Sequence, residues 1–138
     1  MYLVDTNVIS ELRKRKSANP NVVAFFTEAA QRQIPIFLSV ITMGELRRGV
    51  DLIRYRGDRF QTELLEDWLN KLLIDFGSFI LPFDQAAAQV WGKLRVPHPE
   101  NPLDKQIAAT ALVHSLILVT CNVKDFIGTG VEVFNRFS

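Results

Sequence analysis

Short apolar runs alternate with amphipathic helical stretches along the whole chain, and this alternation restricts the fold more than any other feature of the sequence. The runs are Tyr2-Leu3-Val4, then residues 34–39, 79–83, 116–120 and 131–134. Helical patterns fall between them. A short helix is predicted over residues 8–13 and a second from Pro20 to about Gln31, with Asn19 as its cap and Pro20 at its first position. A third starts at Thr42, where Leu46, Val50 and Ile53 recur at helical spacing. Residues 60–74 carry the stripe Leu64, Leu65, Trp68, Leu69, Leu72 and Leu73, read as core or as half of a hairpin that receives a partner helix. Asp84 caps a helix over residues 85–95, and Asn101-Pro102 opens one with a small-residue face at Ile107, Ala108, Ala111 and Leu112. Strands separated by helices imply a three-layer α/β/α sandwich with a mainly parallel central sheet. With 138 residues, 48% of them hydrophobic, the chain is expected to form one domain spanning residues 1–138.

Charge narrows the functional classes. Sixteen Lys and Arg against fifteen Asp and Glu leave a formal net charge of +1, so any polyanion must be drawn by a local basic patch or by a metal. The run Arg13-Lys14-Arg15-Lys16 reads as a solvated loop that could also meet phosphate. Arg47, Arg48, Lys105 and Lys124 lie near acids in the sequence and are further phosphate candidates, each more simply a solvated charge. The single Cys121 excludes an intrachain disulfide and fits a reducing compartment. His98, in a loop with three prolines, and His114, near a helix end, have no metal-ligand spacing to each other or to Cys121. Asp5, Glu11 and the basic run interrupt any signal-peptide apolar region, and no apolar stretch reaches about 18 residues. A cytoplasmic protein without a membrane segment is the expectation.

The acids carry the chemistry. Asp5 ends the first strand, Glu45 lies in the helix after the second, Asp104 opens a helix leading to the fourth, and Asn122 with Asp125 follows that fourth strand. Right-handed crossovers between parallel strands place all these junctions on one edge of the sheet, so the acids should converge. Each has a capping explanation as well. Asp5 or Thr6 can cap the first helix, and Thr42-x-x-Glu45 has the form of a capping box. Clustered carboxylates cost energy unless a cation or a raised pKa compensates, and Mg2+ or Mn2+ prefers such oxygen ligands. A metal site of this kind can activate water against a phosphodiester, but the spacing also suits Mg2+-dependent phosphatases and receiver domains that take phosphate on an Asp.

Four segments narrow the choice: residues 2–11 (YLVDTNVISE), 38–49 (LSVITMGELRRG), 104–111 (DKQIAATA) and 118–126 (LVTCNVKDF). In order and spacing they resemble the motifs of PIN-domain ribonucleases, and most closely those of the VapC and FitB toxins of bacterial toxin–antitoxin pairs. The resemblance implies a Mg2+- or Mn2+-dependent endoribonuclease, commonly a homodimer, held inactive by a cognate antitoxin. By position, Asp5, Glu45 and Asp104 match the three principal acidic ligands, and Asp125 matches the acid of the closing motif. Asn122 stands where the family often has Asp, so it can coordinate through its carbonyl oxygen but contributes less to a second metal. Thr6 and Asn7 match the small polar residues beside the first acid, placed to hold it, and Thr120 or Ser39 could do similar work. Two other readings remain: a non-catalytic interaction module, and a Mg2+-binding phosphoryl-transfer or regulatory domain with Asp5 as acceptor.

Overall fold

The computed structural model describes residues 1–137. Among these residues five strands form one sheet: β1 (Tyr2–Val4), β2 (Ile36–Ser39), β3 (Ile80–Leu81), β4 (Ile117–Val119) and β5 (Val133–Phe134), in the order β3-β2-β1-β4-β5. Every neighbouring pair is parallel, with Leu3 opposite both Phe37 and Leu118, so the sheet is parallel throughout and not merely in the main. The helices among the described residues are α1 (Thr6–Glu11), α2 (Pro20–Gln31), α3 (Val40–Tyr55), α4 (Arg59–Phe76), α5 (Gln85–Leu94) and α6 (Pro102–Val113).

Alternation along the short strands builds the three layers. Val4 and Val119 face a cluster with Val22 and Phe25 of α2, Leu46 and Val50 of α3, and Leu65, Leu69 and Leu72 of α4. Leu3 and Leu118, one residue earlier in each strand, face the opposite way onto Ile107, Ala108 and Ala111 of α6. Both faces are covered, which is why these strands read as unbroken apolar runs. Each fully buried Leu or Ile contributes about 1.5–3 kcal/mol.

Several boundaries differ from the sequence expectation. The basic run is not a loop: residues Leu12–Ser17 form a 3-10 turn in which Arg15 has φ 54°. Helix α3 begins at Val40, because the Ser39 hydroxyl caps it by accepting from the Ile41 N–H at 2.9 Å. The expected Thr42–Glu45 capping box therefore does not form, and Ser39 acts as a cap and does not hold an acid. The third strand shrinks to Ile80–Leu81, since Pro82 has no N–H to extend a ladder. The last strand covers only Val133–Phe134. Asn101 adopts a left-handed backbone (φ 55°) and makes no side-chain cap bond, although Pro102 does open α6. Asn19, Asp58 and Asp84 do cap their helices through their side chains. In α4 the leucine stripe is core at Leu65, Leu69 and Leu72, while Phe60, Leu64 and Ile74 stay exposed.

The order of the strands determines where a ligand can bind. From β1 the chain moves one way to β2 and β3, then returns to the other side of β1 for β4 and β5. The switch point lies between the carboxyl ends of β1 and β4, where open α/β sheets leave a crevice.

Candidate functional site

Asp5 and Thr120 are the residues that follow β1 and β4, and the register Val4 opposite Val119 sets them level across the switch point. The Asp5 N–H donates to the Val119 carbonyl at 2.9 Å, carrying the pairing one step past the strand. Asp5 is only 3% exposed and Thr120 is fully buried. The Thr120 hydroxyl donates to Asp5 Oδ2 at 2.7 Å, and the Asn7 amide donates to the same oxygen at 3.0 Å. Oδ1 accepts from the Thr6 N–H at 2.8 Å. Asp5 is thus both helix cap and the carboxylate anchored in the crevice. Burial pushes its carboxyl above the usual range, opposed by the bonds from Thr120, Thr6 and Asn7 and assisted by the nearby charge of Asp125.

Asn7 and Thr120 are themselves fixed. The Asn7 amide also reaches the Thr120 oxygen at 3.3 Å, and its carbonyl accepts from the Cys121 N–H at 3.1 Å. The Thr120 oxygen additionally accepts from the Asn122 N–H at 3.0 Å. This network ties the start of α1 to the loop after β4.

Glu45 enters from α3. Its Oε1 accepts from the Thr6 hydroxyl at 2.7 Å, and the Thr42 hydroxyl lies 3.0 Å from the same Thr6 oxygen. Thr6 has a single hydroxyl hydrogen, which goes to the carboxylate, so Thr42 donates to Thr6. Sequence reasoning treated Thr42 as a cap and missed this role. The available signal was its position three residues before Glu45, on the same helix face.

Asp104, in the first turn of α6, completes the convergence. Its carboxyl is pushed up to about 6, chiefly by burial and then by the negative charges of Asp5, Asp125 and Glu45. Four acids from four separate junctions therefore share one field. Among the described residues none of the four takes part in an ion pair. Asn122 is different: its side chain is exposed, its amide oxygen meets the Cys121 thiol at 3.5 Å, and its backbone N–H serves Thr120.

The flanking cations divide unexpectedly. Arg47 makes two bonds to Glu66, at 2.8 and 2.7 Å, and is committed to the α3–α4 hairpin. Lys105 is buried with its ammonium on the His98 carbonyl, where it pins the proline-rich loop to α6. Arg48 and Lys124 remain exposed. Arg13, by contrast, lines an open cleft of about 200 Å³ together with Thr6, Ser10, Glu45, Gly49 and Trp68.

Fold and site together define a parallel α/β domain with an all-acid cluster at the switch point of its sheet. The sequence matches the PIN domain over residues 2–129, and the chain belongs to this family. It is 36% identical to the toxin FitB of Neisseria gonorrhoeae over 140 residues, covering 98% of this chain and 97% of that protein. It is 32% identical to the VapC ribonuclease Y4jK of Sinorhizobium fredii over 142 residues, covering 98% and 96%. Its structure is similar to that of FitAcB from Neisseria gonorrhoeae, with a TM-score of 0.85 at 35% identity over 99% of each chain.

Proposed function

We propose that this chain is the toxin of a toxin–antitoxin pair and acts as a Mg2+- or Mn2+-dependent endoribonuclease. The observation that carries the reading is the field shared by Asp5, Glu45, Asp104 and Asp125, four carboxylates without a cationic partner among the described residues. The similarity to FitB and to a VapC ribonuclease supports the same reading.

The residues fit a hard cation. The principal donors are carboxylate oxygens, and the side chains of Asp104 and Asp125 accept no hydrogen bond among the described residues. No three acid, His or Cys groups among those residues already enclose a ligating centre. Mg2+ prefers oxygen ligands and commonly retains several waters. Asp5, Glu45 and Asp104 would hold it, with Asp125 and then Asn122 completing the set. When bound, it supplies an activated water and charge stabilisation at the phosphoryl oxygen. Thr120, Asn7 and Thr6 then orient Asp5, and Thr6, held by Thr42, orients Glu45.

The test is incubation of the purified chain, free of antitoxin, with mixed structured RNAs and Mn2+, beside Asp5→Asn. Cleavage by wild type alone supports the reading. No cleavage, or equal cleavage by the variant, defeats it.

A further inference from the structure

The turn Leu12–Ser17 gathers four cations, Arg13, Lys14, Arg15 and Lys16, all exposed. Its conformation is held from beneath by Glu11, which is only 8% exposed. One Glu11 oxygen accepts from the Lys14 ammonium and the other from the Asn19 N–H, each at 2.9 Å. The carboxylate thus clamps the turn at its middle and at its far end, and the pairing holds the Glu11 carboxyl below its ordinary range. Lys14 is consumed in that clamp. Among the described residues Arg13, Arg15 and Lys16 form no ion pair, and Arg13 opens onto the cleft that contains Glu45.

From this placement we infer that Arg13, Arg15 and Lys16 bind the phosphate backbone of a single RNA strand next to the acid cluster. The inference rests on the ribonuclease reading and adds to it the residues that hold the substrate. The physical need is plain. A cluster of carboxylates repels a polyanion, and a net charge of +1 provides no general attraction. Arg13 on the cleft offsets that repulsion where the strand must enter, and Arg15 and Lys16, which line the adjoining groove along α2, extend the cationic track away from the acids. Of the sequence candidates near the acids, Arg47 is bound to Glu66 and Lys105 to the His98 carbonyl, which leaves only Arg48 and Lys124 exposed in addition to this turn. The contacts are to backbone phosphates, so they set affinity and salt dependence and carry no sequence preference.

The test is fluorescence anisotropy of labelled oligouridylate with the full chain in EDTA, which prevents cleavage, across a KCl series. The proteins are wild type, R13Q/R15Q/K16Q, R13K/R15K and, as a remote control, Lys93→Gln at the end of α5. Lys14 and Glu11 are untouched in all of them, and circular dichroism checks each fold. The expected result is that the Gln variant loses about 0.7 in the slope of log affinity against log salt for each phosphate contact removed. R13K/R15K and Lys93→Gln should retain the wild-type slope. In Mn2+, the Gln variant should show a raised KM with little change in kcat, as expected for uniform binding lost away from the reacting atoms.

An unchanged slope and affinity in the Gln variant overturns the inference. So does displacement of the RNA by polyglutamate as readily as by unlabelled oligouridylate, which would make the turn a site for an acidic protein segment. Failure of the ribonuclease reading looks different, because wild type then cleaves nothing in Mn2+ whatever its salt slope.

Discussion

Two charge clusters flank α3 and use similar side chains to opposite ends. Between α3 and α4, Glu66 is gripped by Arg47 and Arg54, and its carboxyl is held down to about 2. At the sheet edge Asp104, among acids only, is pushed up to about 6. With Asp51, which pairs with both arginines, the first cluster is balanced, and it is surface-exposed, so it contributes little to stability. The second is unbalanced and partly buried, and such groups are concentrated at functional sites. The charges are paired between the two helices and left without a cationic partner at the sheet edge.

The largest effect is expected from Asp5→Asn, which keeps the shape and removes a buried charge from the acid cluster. RNA cleavage in Mn2+ should fall by more than the 10–100-fold typical of losing a group that only orients a ligand. A variant that still cleaves at the wild-type rate would return Asp5 to the role of a helix cap. Thr120→Val tests the orienting network and should cost about 10–100-fold in Mn2+ affinity or cleavage while the fold persists. Titration calorimetry with Mn2+ and RNA cleavage measured together would show it, and unchanged values in both would remove Thr120 from the site.

Stability against pH sharpens the contrast, because the two clusters have opposite signs. The Asp104 carboxyl is raised from 3.8 to about 6, so the folded state gains stability when it is protonated and loses that contribution as pH rises through about 6. Without metal, Asp104→Asn should therefore be more stable than wild type near neutral pH by about 1–2 kcal/mol after solvent screening, with the gap closing below about pH 4. Saturating Mn2+ should reverse the order, since at about 100 times Kd it stabilises a competent site by about 2.7 kcal/mol. Thermal melts with EDTA and with Mn2+ measure both, and a variant that responds to Mn2+ like wild type would exclude Asp104 as a ligand.

The Glu66 carboxyl is lowered from 4.5 to about 2, so its contribution is present above its ordinary value and disappears as pH falls through about 2. Glu66→Gln should thus lower the melting temperature slightly at neutral pH, less at high salt, and leave RNA cleavage unchanged. A loss of cleavage there would show that the balanced cluster also reaches the substrate.

Much of this was legible in the chain itself. Apolar runs between amphipathic stretches implied the parallel α/β layers, because burial on both faces leaves no polar alternation in Leu3-Val4 or in Leu118-Val119. Acids at the junctions implied a shared edge, because crossover handedness admits one side only. What periodicity could not resolve was competition among nearby polar groups. Ser39 won the α3 cap over Thr42, which freed Thr42 to support Thr6 and left Glu45 facing the acids.

The fate of each cation was also decided in three dimensions. Arg47 and Lys105 looked well placed for phosphate, yet Glu66, 19 residues along the chain from Arg47, and the His98 carbonyl claimed them. The run from Arg13 to Lys16 looked like solvated loop, yet Glu11 folded it into a fixed turn and the cleft brought Arg13 beside Glu45. Sequence alone determined the layers and the strand edge on which the junction acids gather, since these follow from local period and backbone handedness. Tertiary structure decided which polar groups were already satisfied, because a side chain's partner depends on what packing delivers within hydrogen-bond reach, and that distance is not written along the chain.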